Sequence, residues 1–226
     1  VNYVKKIVRE YSLITFDASA FYTHFNNRIL PDYETDPNKI IYANLNGFSV
    51  SKGVSLNSDI TFTNGLSINA GVTLMDVSIT ESDIKTRQLL TESFSGVWSL
   101  SYKFRNNFTI DYTGNIYGPM RLPLISDTDP RPENSPWFSI QNIQLTKKFN
   151  NSFEIYGGVK NLLNFTPAAN SIARAFDPFD KNVDFDQNEQ AVATPNNPNA
   201  LAFDPSYVYA SNQGIRTFIG VRFTIF

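Results

Sequence analysis

The chain has no cysteine and a single histidine, His24, among its 226 residues. The first absence excludes a disulfide framework and a thiolate zinc site. The second excludes clustered-histidine metal centres and leaves little room for triad chemistry. Neither sign of charge dominates: 19 Lys and Arg face 21 Asp and Glu, for a net charge of −2. Nucleic acid as a partner therefore has no electrostatic support. No run approaches the roughly 18 consecutive apolar residues of a membrane helix. That excludes helical spanning only, because a spanning β-strand needs about 9–11 residues of alternating character. No phosphate loop, metal motif or nucleophile constellation is present, so no catalytic residue is assigned and no enzyme is expected.

What the chain does have is aromatic residues, 14% of the total with 19 Phe and 11 Tyr, and a wealth of Asn, Ser and Thr. This composition favours strands joined by polar turns. In the closing segment 216–226, Thr217, Ile219, Val221, Phe223 and Ile225 share one face. Arg216, Gly220, Arg222 and Thr224 lie opposite, with Phe218 as the exception. A side-chain period of two makes this a strand with one apolar and one wet face. The same alternation recurs near 14–23, 54–63, 66–74, 94–104, 108–116, 142–149 and 153–160, giving about eight strands. The segment 1–8 fits two readings, an amphipathic helix or the stub of an earlier strand turning by residue 11. The stub is preferred, because it places Lys5, Lys6 and Arg9 at a short-turn end; it implies that chain is missing upstream.

The connections alternate in length. Asn64-Gly65, 105–107 and 150–151 are short, and Asn-Gly predicts a type I′ hairpin with positive φ at both residues. Stretches near 28–38, 81–91, 118–135 and 164–212 are long and polar. Short turns at one end and long loops at the other form the up-and-down pattern of a transmembrane β-barrel. A soluble β-sandwich binding module shows the same alternation, and would bury Trp98, Leu100 and Phe104 in protein. A small stand-alone barrel of eight strands is a third reading. The wet face, rich in Ser, Thr, Asn and Asp, the strand length and the aromatics near strand ends favour the membrane barrel.

Glu154-Ile-Tyr-Gly-Gly-Val-Lys-Asn-Leu-Leu-Asn164 resembles the strand near the C-terminus of TonB-dependent outer-membrane receptors. Residues 214–226 look like that family's last strand. Segments 18–29, 42–47 and 53–56 are similar to one of its hairpins. The Asn-rich composition and the 118–123 loop look like members from Bacteroidota. Two departures stand out: Ser55 replaces a common Glu, and Phe226 is out of phase with Phe223 and Val221. The resemblance implies about eight strands of a barrel of about 22, with the plug domain absent from this chain. It also implies nutrient uptake across the outer membrane of a Gram-negative cell. The implied partners are outer-membrane lipid, the remaining barrel and plug, the TonB complex and a surface lipoprotein gripped by the last loop. The free edge of the closing strand should then be paired by residues from outside this sequence.

Site candidates lie in the long loops. Tyr33, Phe176, Phe179, Phe185, Tyr207 and Tyr209 are positioned to stack on a ligand, and loop packing explains them equally well. The acidic stretch 177–189 begins with EF-hand spacing, which nominates Asp180, Asp184 and Asp186 for calcium. Phe185 and Ala191 occupy positions that need Gly and Glu, so a solvated acidic loop is the favoured reading and no cofactor is expected. Asp17, Asp59 and Asp111 sit mid-strand on the wet face, where Arg216 and Arg222 are their potential partners.

Overall fold

The computed structural model describes residues 1–32, 41–123, 132–168, 173–174, 183–187, 191–195, 197–198, 200, 202–203 and 208–225. The strands are β1 (Asn2–Arg9), β2 (Ser12–Phe25), β3 (Ile29–Asp32), β4 (Ile41–Asn44), β5 (Gly47–Phe62), β6 (Leu66–Glu81), β7 (Ile84–Arg87), β8 (Phe94–Phe104), β9 (Phe108–Tyr117), β10 (Phe138–Lys148), β11 (Phe153–Lys160), β12 (Ala173–Arg174), β13 (Ala202–Phe203) and β14 (Arg216–Phe223). One sheet dominates, in the order β1-β2-β5-β6-β8-β9-β10-β11-β14, with β7 added beside β6. Every pairing along that path is antiparallel. The segment read as helix or stub is a strand, with Ile7 opposite Ile14.

Register carries the alternation across the sheet without a slip. One row of neighbours runs Ala18, Leu56, Val72, Gly96, Ile116. On the opposite face a row runs Thr15, Asp59, Asn69, Ser99, Thr113, Asn142. A shift of one residue in any ladder would mix these faces, so the pattern itself specifies the register. Most of the apolar face is uncovered among the described residues: Leu56 is 52% exposed, Leu100 36% and Phe104 44%. A sandwich would have covered them with a second sheet.

Short turns close one end. The 62–65 turn corrects the expected type I′ geometry. Gly65 N–H bonds the Phe62 carbonyl at 3.3 Å, and of Asn64 and Gly65 only the glycine has positive φ, at 93°. The loop thus absorbs Thr63, and one left-handed residue suffices. A 3₁₀ turn at Arg105–Asn107 uses positive φ at Asn106 and Asn107. Beside the turn at 149–152, Glu154 takes Arg222 at 2.6 Å and Lys148 at 3.8 Å, tying β10, β11 and β14. At the other end Met120, Leu122, Phe138, Ser135 and Asn161 are buried, and Ser135 Oγ accepts from Met120 N–H at 3.0 Å.

Candidate functional site

The long-loop end is where this fold can present chemistry. Its structure begins with two strands that outrun the sheet. β5 and β6 are 16 residues each, and β6 turns back on itself through Ser82 and Asp83, both at positive φ, to pair with β7. The connection between β2 and β5 folds into its own ladder, β3 with β4. Arg28 ties that excursion to the next, donating to the Gln88 side chain at 2.8 Å.

Between these two excursions lies a cleft of about 210 Å³, walled by Leu30, Leu45, Ile79 and Leu89, with Arg87, Arg121 and Glu81 at its polar side. The arginines hold the loops together. Arg87 donates to the carbonyls of Thr91 (3.3 Å) and Pro119 (3.2 Å), and Arg121 donates to the Arg87 carbonyl at 3.3 Å. Leu90 N–H bonds the Arg121 carbonyl at 2.8 Å, and Ser135 N–H bonds that of Met120 at 2.8 Å. Guanidinium groups are suited to binding carbonyls and anions, and here the geometry commits them to loop carbonyls. The signal in the sequence was an arginine in each of two adjoining polar loops, and it was too common a pattern to single out.

A second cluster anchors the last long loop. Phe138 stacks on Phe165 at 4.9 Å, with Tyr117 at 5.1 Å and Tyr209 at 5.6 Å. Tyr209, nominated for ligand stacking, is therefore half-buried in an aromatic knot. Asn161 lies under this knot, 3% exposed and left-handed at φ 54°. Its amide donates to the carbonyls of Phe165 (2.7 Å) and Gln213 (3.1 Å) and accepts from Phe165 N–H (3.0 Å). Asn164 accepts from Ile215 N–H at 2.8 Å. The two asparagines of the Asn-Leu-Leu-Asn motif thus clasp both ends of the 161–215 connection, a role that sequence reading missed.

Tyr33, Phe176, Phe179, Tyr207 and Asp180 lie outside the described residues. Phe185 bridges Ala191 through the backbone, and Asp184 and Asp186 are exposed. Among the described residues, no cluster of three metal-ligating side chains forms. Asp59 accepts from Asn69 within the wall, and Arg222 turns to Glu154 rather than to a wet-face aspartate. His24 stacks on Phe48 at 5.0 Å and meets the Asn26 side chain at 2.8 Å.

Residues 8–162 match the family model of TonB dependent receptor-like β-barrels. Among solved structures, the chain is similar to the closed form of the ferric-catecholate import receptor Fiu from E. coli K12. The TM-score is 0.60 at 12% identity, over 98% of this chain and 27% of that one. The FrpB iron transporter from Neisseria meningitidis gives 0.55 at 12% identity, over 96% and 29%. The ferripyoverdine receptor of Pseudomonas aeruginosa gives 0.52 at 16%, over 70% and 23%. At these identities the likeness is one of fold, and the chain spans less than a third of each structure. No curated protein matches the sequence.

Proposed function

The chain belongs to the TonB-dependent receptor-like β-barrel family, and from that premise we propose that it is part of the wall of an outer-membrane receptor that imports a scarce nutrient. The observation that carries this reading is the single antiparallel meander with its apolar face uncovered. Leu56, Val72, Leu74, Leu100, Leu145 and Val221 are all exposed on that side. Water makes such a surface costly at roughly 25 cal/mol per Å², whereas hydrocarbon removes the cost. The polar rows on the other face then line the lumen, where neutral hydroxyls and amides suit contact with a plug.

In this reading the long loops lie outside the cell and the short turns in the periplasm. The arginine-bearing cleft and the loop clasped by Asn161 and Asn164 supply part of the ligand- or partner-gripping surface. TonB supplies the energy through a plug outside this sequence, and the edges of β1 and β14 pair with further strands of the same barrel. A surface lipoprotein over the last loop is part of the proposal, and no cofactor is proposed for the acidic 177–189 stretch. No catalysis is proposed.

The test is growth of cells with an in-frame deletion of the gene, in media limited in turn for iron, cobalamin and complex glycan. The expected result is a defect in one medium that a tonB deletion reproduces and does not deepen. A defect that is independent of tonB, or a gene product recovered in the soluble fraction, would contradict the proposal.

A further inference from the structure

The polar face changes character at the last strands. From β5 to β10 its middle rows carry mainly hydroxyls and amides, and several of these pair with one another. Ser55 meets Thr73 at 2.9 Å, Asn69 donates to Asp59, and Asn142 donates to Thr113 at 3.3 Å. On β11 and β14 the same face carries rings and cations. Tyr156 stands opposite Gly220, and Phe218 opposite Gly158. Each ring lies over its glycine: a Cβ on Gly220 would come within 2.5 Å of the Tyr156 ring, and one on Gly158 within 2.9 Å of the Phe218 ring. The ring centroids are 6.4 Å apart. Each ring also takes one cation. The Arg222 guanidinium carbon lies 5.7 Å from the Tyr156 centroid, and Lys160 Nζ lies 5.4 Å from that of Phe218.

A ring face attracts a cation without cancelling its charge. Lys160 and Arg216 stand opposite each other at the external end of the two strands. Among the described residues neither has a carboxylate partner. From Arg216 to Arg222 the stripe runs about 20 Å, at roughly 3.3 Å per residue. At the short-turn end it meets a polar cup of about 300 Å³, lined by Lys148, Glu154, Arg222 and the side chains of the adjoining turns. Glu154 serves both Arg222 at 2.6 Å and Lys148 at 3.8 Å, so the cup keeps one positive charge in excess. Asn150 Oδ1 accepts from Ser152 and Phe153 N–H, which leaves its amide nitrogen as a further donor. Spaced cations between ring faces, ending in a donor-rich cup, are complementary to an organic anion. Its charge can pass from one cation to the next while its body stays on the rings. Passage needs sites of this kind, several and each weak enough to leave.

We propose that this stripe is the lumen wall along which an anionic solute passes, and that the cup is its last station before release. The inference rests on the transport reading above and narrows the solute to one bearing carboxylate or phosphate groups. The neutral rows of β5 to β10 are then the part of the wall left to the plug.

The experiment labels single cysteines in the complete receptor, in growing cells. The probes are the anionic sulfonatoethyl and the cationic trimethylammonioethyl methanethiosulfonates, with rates normalised to free cysteine and the parent receptor as blank. Phe218→Cys is expected to react about tenfold faster with the anionic probe, as steering by a cationic wall predicts, and to slow when tonB is deleted. Ser99→Cys, on the neutral wall, should show no preference. Adding Lys160→Gln and Arg216→Gln should abolish the preference at position 218. Tyr156→Cys replaces Phe218→Cys if that variant does not fold, and heat-modifiable gel migration verifies folding. Equal rates for the two probes at position 218, or a preference that survives removal of both cations, overturns the proposal. So does tonB-dependent labelling at position 99 with none at 218, which moves the route to the other wall and leaves the transport reading standing. A position 218 that stays unlabelled in both strains marks the stripe as a plug contact and overturns it too. Labelling at both positions that ignores tonB overturns the transport reading, and the proposal with it.

Discussion

Asn161 shows how one side chain can hold a loop that the sequence leaves without regular structure. Its three side-chain hydrogen bonds join Phe165 and Gln213, at a burial where water cannot substitute. Asn161→Ala leaves the Phe165 N–H and two carbonyls unpartnered, at a cost of about 2–4 kcal/mol from the usual penalties. The expected outcome is faster proteolytic cleavage within 165–213 with the sheet intact, read by limited proteolysis and circular dichroism. A cleavage rate equal to the parent's would remove the clasp from the account. Glycines act by the opposite means, by having no side chain. The Trp98 ring lies over Gly114 on the next strand, 2.2 Å from where a Cβ would stand, a cross-strand pairing of glycine with an aromatic ring. Gly114→Val must push that ring outward, and a loss of about 1–3 kcal/mol is expected, measured by urea unfolding of the folded barrel.

The strands carry the clearest imprint of the sequence, and they also show where it fades. Leu66 to Leu74 alternates strictly and Phe94 to Phe104 does so apart from Val97, so both were legible. The upper reaches of β5 were less so: Phe48 and Val50 alternate with Ser49 and Ser51, but Lys52 and Gly53 interrupt the run before Val54. They are strand because β2 and β6 pair them on both sides, a tertiary decision that local pattern does not encode. β7 escaped for the same reason, with four residues held by β6. Of the candidate site, the loops were legible as loops. The clasp and the arginine contacts were not, since both depend on residues far apart in sequence. A prediction belongs at this scale. Val72→Arg places a charge on the apolar face mid-strand and should cost about 2–4 kcal/mol, as lipid-facing charges do. Ser99→Arg, on the polar face, should cost far less. Equal costs in folding titrations into lipid vesicles would count against one face being in hydrocarbon.

At the scale of the molecule, the chain is an open sheet that the family reading completes. Both edges, β1 and β14, lack a second neighbour among the described residues, and unsatisfied ladders do not persist in a bilayer. The central claim is that the two faces of this sheet meet two different solvents. The direct measurement is nitroxide scanning of the complete barrel in membranes, with single cysteines at 54–58, 97–101 and 143–146 and collision rates read for oxygen and for a water-soluble nickel complex. The account predicts a period of two: oxygen collides more at Leu56, Leu100 and Leu145, and the nickel complex more at Asn57, Ser99 and Gln144. Loss of that alternation, or apolar-face positions shielded from both reagents as in a protein core, would contradict it.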